Sequence, residues 1–253
     1  MANKIKEFTD ALAREFPNKI LTIVSFGSRQ GERDLDISDV DLLIFSKQKV
    51  DVKLIFERGL ELKEKIFNLK TTRSTHWIQE YLLGSNSYGG LHLIVLGRDE
   101  FDENFNPLSF RLKLLSKIIS RNILLFEIKK NYRLLFGEDI IDKARINPLK
   151  LSDRITCFLF PLLVLLILPL SFCGRRTFKI WCFKAIKYHY QGLGAIAEIA
   201  REQGGTANLD IDFNDELFNL AKIYRYKPDD YKGSILALYL RTWLNMALNL
   251  FGS

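Results

Sequence analysis

The stretch 26-FGSRQGERDLDISDVDLLIF-45 joins two apolar runs through a polar, glycine-containing connection. The first run is ILTIVSF (20–26) and the second is VDLLIF (40–45), and both have the length and composition of β-strands. Two acids, Asp39 and Asp41, interrupt the start of the second run. An ionised carboxylate without a partner is costly to remove from water, so acids at this position need a specific purpose. The stretch therefore predicts two strands, the second of which begins with functional acids.

The sequence on either side of this stretch extends the pattern. Residues 1–16 have the spacing of an amphipathic helix, and a helical pattern returns at 51–70. The run GGLHLIVLG (89–97) is typical of a third strand bounded by glycines. Strands mixed with helices predict an α+β domain, in which helices pack against a sheet. From Asn106 onward the pattern becomes helical.

A boundary between domains is predicted near INPLKLSD (146–153), where a proline follows a polar segment. We therefore expect an α+β domain at 1–145 and an all-α helical bundle at 150–253. The chain of 253 residues, 47% of them hydrophobic, is long enough for two packed units.

The net charge favours polyanionic partners. It is +7, from 37 basic and 30 acidic residues, which suits nucleotides, nucleic acid or a membrane surface and does not choose among them. The three cysteines, Cys157, Cys173 and Cys182, lack C-x-x-C spacing and indicate core thiols in a reducing compartment. The N-terminus lacks the continuous apolar core of a signal peptide, so we expect a cytoplasmic protein.

One uncharged segment, residues 155–174, has the length of about 20 residues that crossing a bilayer requires. Pro161 and Pro169 divide it, and no second such run follows. A buried central helix of the helical domain is the favoured interpretation. Membrane contact and an interface with another subunit are the two alternatives.

The two acids suit a divalent metal ion. Side chains alternate along a strand, so Asp39 and Asp41 should point one way and Val40 the other. Two carboxylates this close raise each other's proton affinity unless a cation lies between them. Hard cations such as Mg²⁺ prefer oxygen ligands, so the pair predicts a metal site.

Residues upstream of the acids suit a phosphate. Gly27 follows the first strand and lets an anion approach the backbone closely, and the Ser28 hydroxyl can donate to it. Arg29 either reaches the same phosphate or is a solvated cation. Metal ligands facing a phosphate site are typical of phosphoryl or nucleotidyl transfer.

The spacing resembles a known family. Gly27-Ser28, ten residues, then Asp39-Val40-Asp41 is similar to the G-S-x(10)-D-x-D signature of the DNA polymerase beta-like nucleotidyltransferase superfamily. SDVDLLIF resembles its minimal nucleotidyltransferase branch, and LLFGEDI (134–140) resembles the closing segment of that domain in antibiotic adenylyltransferases. The resemblance implies the superfamily's sheet with flanking helices. It also implies that Gly27 and Ser28 hold a triphosphate and that Asp39 and Asp41 bind Mg²⁺ or Mn²⁺.

The sequence departs from the family at the third acid, which normally lies on a later strand. In LHLIVL the polar residue is His92, which by alternation shares a face with Ile94 and Leu96. His92 is therefore either a metal ligand or general base, or a histidine of the core. Glu80 is a second candidate for the missing acid.

Two functions fit this pattern. The first is an enzyme that transfers a nucleoside monophosphate from a nucleoside triphosphate, with ATP expected, to an RNA end, a protein side chain or a small molecule. The second is a nucleotide-binding or antitoxin-like regulator that lacks catalysis because His92 replaces an acid. Lys113, Lys117 and Arg121, four residues apart, are predicted to share a helix face that is solvated or contacts nucleic acid. A homo-oligomer is a further expectation.

Overall fold

The computed structural model describes residues 2–26, 40–68, 91–167, 175–205, 219–221, 223–224 and 227–251. The chain divides into two compact units, Met1–Lys113 with Ile128–Arg145 and Leu114–Glu127 with Ile146–Ser253. The division by compactness therefore assigns residues 114–127 to the second unit. The functional division into 1–145 and 150–253 stays a prediction.

The described elements are four strands and eight helices, numbered here in chain order. The strands are β1 Ile20–Phe26, β2 Val40–Ser46, β3 Leu91–Gly97 and β4 Arg133–Gly137. The helices are α1 Ala2–Glu15, α2 Val52–Phe67, α3 Phe110–Ser116, α4 Arg121–Lys130, α5 Ile140–Lys143, α6 Leu151–Ile167, α7 Arg175–Glu202 and α8 Ile235–Phe251. Short 3₁₀ turns at Lys49–Asp51 and Arg98–Glu100 follow β2 and β3.

The four strands form one mixed sheet in the order β3-β2-β1-β4. β1 pairs antiparallel with both β2 and β4, while β2 and β3 are parallel. The sheet with flanking helices and the helices of the C-terminal part confirm the predicted fold class, and β1, β2 and β3 confirm the three predicted strands.

The prediction of helix throughout the region after Asn106 is wrong at β4. This strand is only five residues long, and most of its side chains are exposed. Short exposed strands carry little alternation between apolar and polar residues, so periodicity does not reveal them. Pairing with β1 stabilises β4 instead.

One face of the sheet is covered by α1 and α2. Phe8 and Leu12 of α1 and Ile55 and Phe56 of α2 are buried against apolar residues of β1, β2 and β3. Phe8 and Leu12 are four residues apart, as are Phe56 and Leu60, so one stripe of each helix meets the sheet. Helix α2 ends where Asn68 adopts a left-handed backbone conformation, with φ of 55°.

The second unit is helical. Helices α6, α7 and α8 share a core in which Cys157 of α6, Leu193 and Ile196 of α7 and Met246 and Leu250 of α8 are buried. Nearer the beginning of α7, a separate apolar cluster forms. There Cys182, Phe183 and Ile186 pack with Ile235 and Tyr239 of α8. Apolar burial of this kind is the main favourable term in folding.

Helix α6 covers the first part of the uncharged segment at 155–174 and includes Pro161. One side of this helix is buried, at Cys157 and Pro161, while Ile155 and Leu159 are exposed. The expected burial of this helix is therefore seen on one side only in the part of the segment that the structure describes. Among the described helices, none combines the length and apolar character that crossing a membrane requires.

Candidate functional site

Three strands bring their functional ends to one edge of the sheet. Phe26, the last residue of β1, lies opposite Asp41 of β2 in antiparallel register. Asp41 in turn lies opposite His92 of β3 in parallel register. The end of β1 and the beginnings of β2 and β3 therefore meet at the same place, although the last two are separated by many residues in the chain.

Asp41 and His92 occupy the same face of the sheet. Val40 pairs with Leu91 and Leu42 pairs with Leu93, and these four side chains are buried in the core beneath α1 and α2. Alternation directs the side chains of their neighbours to the opposite face. Asp41 and His92 are therefore neighbours on that face, and His92 shares it with Ile94 and Leu96 as predicted.

The environment of the two side chains differs. Asp41 is half-buried, whereas His92 is only 3% exposed. Directly paired residues on adjacent strands have backbones about 4.8 Å apart, a separation that lets both side chains contact one small ion or one substrate atom. A carboxylate beside an imidazole can share a cation or a proton.

The donor set of this pair fits a divalent ion in part. Asp41 offers the carboxylate oxygen that Mg²⁺ and Mn²⁺ prefer, whereas His92 offers an imidazole nitrogen, which suits Mg²⁺ poorly. Within the described ranges, no group of three or more histidine, cysteine or acidic side chains is arranged to hold a metal. A complete site therefore requires ligands beyond Asp41 and His92.

The other predicted site residues lie outside the described part of the chain: Gly27, Ser28, Arg29, Asp39 and the alternative acid Glu80. In the sequence, Gly27 directly follows Phe26 and Asp39 directly precedes Val40. Their roles stay predictions.

The segment LLFGEDI (134–140) contains most of β4, which pairs with the edge of β1 that β2 does not occupy. Gly137 has φ of 81°, and a Cβ atom at this position would overlap the carbonyl oxygen of Leu21. The Thr22 hydroxyl donates a hydrogen bond to the carbonyl of Glu138, and the Glu138 amide donates to the carbonyl of Leu21 at 3.1 Å. These contacts hold β4 close to β1, the strand that leads to the predicted phosphate site.

The end of this segment is capped. Asp139 accepts a hydrogen bond from the amide of Asp142 at 3.0 Å, and so caps α5. The Tyr132 hydroxyl donates to the same carboxylate at 2.8 Å. Burial, together with this hydrogen bond, raises the pKa of Tyr132 to about 12. Sequence reasoning identified the segment but missed its contribution to the sheet.

The structure also describes three basic residues of the helices, Lys113, Arg121 and His189. Lys113 belongs to α3, which ends at Ser116, and Arg121 begins α4, so the three cations predicted to share one helix face do not share it. His189 is fully buried in the second unit, and burial lowers its pKa to about 3. It is a neutral core residue of that unit.

Comparison with known proteins supports a family. Residues 5–79 match the model of the nucleotidyltransferase domain family. The matched residues include Gly27, Ser28, Asp39 and Asp41, and they end before β3 and His92. No curated protein matches the chain.

Two solved structures are similar at low identity. A spectinomycin adenyltransferase from Enterococcus faecialis, with ATP and spectinomycin, is 11% identical over 97% of both chains, with a TM-score of 0.49. A nucleotidyltransferase-like protein from Exiguobacterium sibiricum 255-15 is 13% identical over 98% of this chain and 75% of the other, with a TM-score of 0.27. Neither score is high enough to support an inference about the site.

The family match coincides with the sheet edge at which Asp41 lies, and its residues contain the G-S-x(10)-D-x-D pattern. Residues 5–79 of this chain therefore match a nucleotidyltransferase domain, in agreement with the resemblance to the DNA polymerase beta-like superfamily noted in the sequence.

Proposed function

We propose that the chain transfers a nucleoside monophosphate from a nucleoside triphosphate to a hydroxyl acceptor, with ATP as the expected donor. The observation that carries the proposal is the position of Asp41, which lies beside the end of β1 and in register with His92 inside the sheet. This arrangement puts an acid next to the place where the chain continues into Gly27 and Ser28. An acid and a phosphate-binding turn are the two parts that nucleotidyl transfer needs.

Each residue has a proposed role. Gly27, Ser28 and Arg29 bind the triphosphate through backbone amides, a hydroxyl and a guanidinium group. Asp39 and Asp41 would hold Mg²⁺ or Mn²⁺, which would neutralise phosphate charge. His92 completes the site as a ligand or accepts the proton of the acceptor hydroxyl.

The reaction balances with these groups. The acceptor oxygen forms a bond to the α-phosphorus, and the bond from that phosphorus to the bridging oxygen of pyrophosphate breaks. The proton of the acceptor hydroxyl passes to the imidazole of His92 in this scheme.

The acceptor belongs to one of three classes: an RNA end, a protein side chain or a small molecule. The net charge of +7 favours an acceptor or donor that carries phosphate. Free, buried thiols at Cys157 and Cys182 support a cytoplasmic location within the same proposal.

A second candidate is a nucleotide-binding regulator without catalysis. The observation that favours it is the burial of His92, which is 3% exposed and so resembles a core side chain more than an accessible base. Nucleotide binding without pyrophosphate release would support this alternative.

The experiment incubates the full chain with each labelled nucleoside triphosphate and Mg²⁺ or Mn²⁺, and follows pyrophosphate and label on RNA, protein or small acceptors. Asp41→Asn, alone and with Asp39→Asn, should lower transfer by about a hundredfold or more, because it removes charge at the reacting centre. Asp10→Asn, on the exposed side of α1, is the matched control and should keep full transfer. Full activity in the Asp39→Asn, Asp41→Asn double variant would overturn the proposal.

A further inference from the structure

The last helix, α8, has an exposed apolar row. Leu236, Leu240, Leu244 and Leu248 are each between 50% and 63% exposed, and we call them the leucine row. They recur every four residues, so they lie along one side of the helix. Isolated exposed leucines are common on protein surfaces, but four in a continuous row are not.

The opposite side of α8 is also apolar, and it is buried within the second unit. Its inward residues are Ile235, Tyr239, Thr242, Met246 and Leu250. The helix contains a single charged residue, Arg241. A helix that is apolar on two sides normally has protein on both. In the part of the chain that the structure describes, the leucine row has no such second surface.

A second exposed row adjoins the first. Leu151, Ile155 and Leu159 of α6 are 40% to 65% exposed and also recur every four residues. Phe158, next to Leu159, stacks on Trp243 with ring centroids 4.4 Å apart. Trp243 in turn precedes Leu244 of the leucine row. The contact between Phe158 and Trp243 therefore packs α6 against α8 at positions next to both exposed rows.

Two more contacts join α6 and α8. Phe158 meets Phe251 edge to face at 5.6 Å, and Arg154 donates a hydrogen bond to the carbonyl of Leu250 at 3.2 Å. Phe251 is itself 45% exposed. We call the leucine row, the α6 row and Phe251 together the apolar face.

The apolar face is large enough to form the apolar centre of a dimer interface. Its eight large side chains are each at least two-fifths exposed. Together they expose several hundred Å² of apolar surface, and each partner in a standard protein interface buries about 800 Å². Apolar patches above a few hundred Å² mark interaction sites.

We propose that the apolar face pairs with the apolar face of a second copy of this chain. A twofold axis lets one patch cover an identical patch, so no complementary charged partner is needed. A row of residues four apart forms the ridge that fits a matching groove when two helices cross at about −50°. The proposal does not depend on the nucleotidyl transfer reaction.

A lipid surface is the less suitable occupant. A helix that lies on a membrane presents a strongly charged, basic side to water opposite its apolar side. The side of α8 opposite the leucine row is instead buried in its own unit, and the helix carries only Arg241. A protein surface therefore fits α8 better than a bilayer does.

The test measures the mass of the full chain in solution by light scattering and sedimentation across a concentration series. The unmodified chain should have twice the mass of one chain and dissociate on dilution. Leu240→Glu with Leu244→Glu should raise the dissociation constant by about a hundredfold or more, since four leucines leave the interface of a dimer. Leu54→Glu is the matched control, because Leu54 is 50% exposed on α2, and it should leave the dimer unchanged.

Two further measurements test the proposal even if the double variant does not fold. Circular dichroism shows whether the double variant is folded, and if it is not, hydrogen exchange of α8 in the unmodified chain at low and high concentration replaces it. Protection that increases with concentration at the leucine row supports the dimer. A monomer at every concentration overturns the proposal, as does a dimer that survives in the folded double variant. Binding of a monomer to vesicles of phosphatidylcholine and phosphatidylglycerol would assign the face to lipid and would also overturn it.

Discussion

Asp41 lies directly opposite His92 on parallel strands, and both side chains project from the sheet face that α1 and α2 leave uncovered. A superfamily resemblance leads one to expect an acid on this later strand, where the chain has an imidazole. Together with Asp39, the predicted site therefore has two carboxylates and one fewer negative charge than a site with three.

His92→Asp should raise the affinity for Mg²⁺ by about tenfold or more, because the added carboxylate is an oxygen ligand with a negative charge. Metal titration followed by calorimetry measures this, and nucleotidyl transfer is recorded on the same samples. Tighter metal binding with faster transfer indicates an impaired site in the natural chain. Tighter binding with lost transfer indicates that the imidazole accepts a proton. Unchanged metal affinity in a folded variant would contradict a place for His92 in the site.

Gly192→Ala should destabilise the second unit by about 1–3 kcal/mol, because a Cβ atom there would overlap the sulfur of Cys157. Adding Cys157→Ala should restore part of the loss by making room for the methyl group. Gly194→Ala in the same helix is the control, since its Cβ would meet no atom within 4 Å. That change should stabilise the protein by about 0.5–1 kcal/mol through helix propensity. Denaturant unfolding measures all three, and equal effects at both glycines would refute the close helix contact.

Acid should destabilise the protein through His189, whose ring lies 5.8 Å from that of Tyr239 and whose Nδ1 contacts the Met246 sulfur. Burial lowers its pKa from 6.5 to about 3, so between these pH values the unfolded chain binds a proton that the folded chain does not. The free energy of unfolding should therefore fall with decreasing pH in this window, by up to about 1.4 kcal/mol per pH unit from this group. His189→Gln should remove that part of the slope. Parallel pH curves for the two proteins would show the prediction to be wrong.

Asp153→Ala should lower the free energy of unfolding by about 2–4 kcal/mol. The carboxylate accepts hydrogen bonds from the Ser120 hydroxyl at 2.6 Å, the Asn122 amide at 3.1 Å and the Lys150 backbone amide at 2.9 Å. Ser120 and Lys150 precede α4 and α6, so one buried acid links the beginnings of two helices. Thermal and urea unfolding measure the loss.

Asp10→Ala, at an exposed position of α1, should change stability by less than about 0.5 kcal/mol and serves as the control. A loss at Asp153 as small as that at Asp10 would mean that the hydrogen-bonded network contributes little.

The sequence predicts the sheet well where strands are buried. β1, β2 and β3 coincide with apolar runs, because their side chains pack under α1 and α2. β4 escapes prediction because its exposed residues are held by pairing with β1. Lys113, Lys117 and Arg121 do not share a helix face, because Ser120 caps a new helix and accepts a hydrogen bond from the amide of Ile123 at 3.3 Å.

The sequence predicts which residue types form the candidate site, but it does not predict which residues lie opposite each other on neighbouring strands. Alternation within one strand indicates that Asp41 and Val40 face opposite ways, and the acids themselves suggest a metal. The pairing of Asp41 with His92 depends on the register between two strands that are distant in the chain, and no local pattern encodes that register. The same limitation applies to the contact between Gly192 and Cys157 on separate helices.

The discontinuity of the first unit has a consequence for synthesis. Residues 128–145 supply β4, and they leave the ribosome only after 114–127, which belong to the other unit. A fragment that stops at residue 113 would leave one edge of β1 open, and open edges promote aggregation of nascent chains. A fragment that keeps the whole first unit therefore extends to residue 145 and also includes residues 114–127 of the second unit.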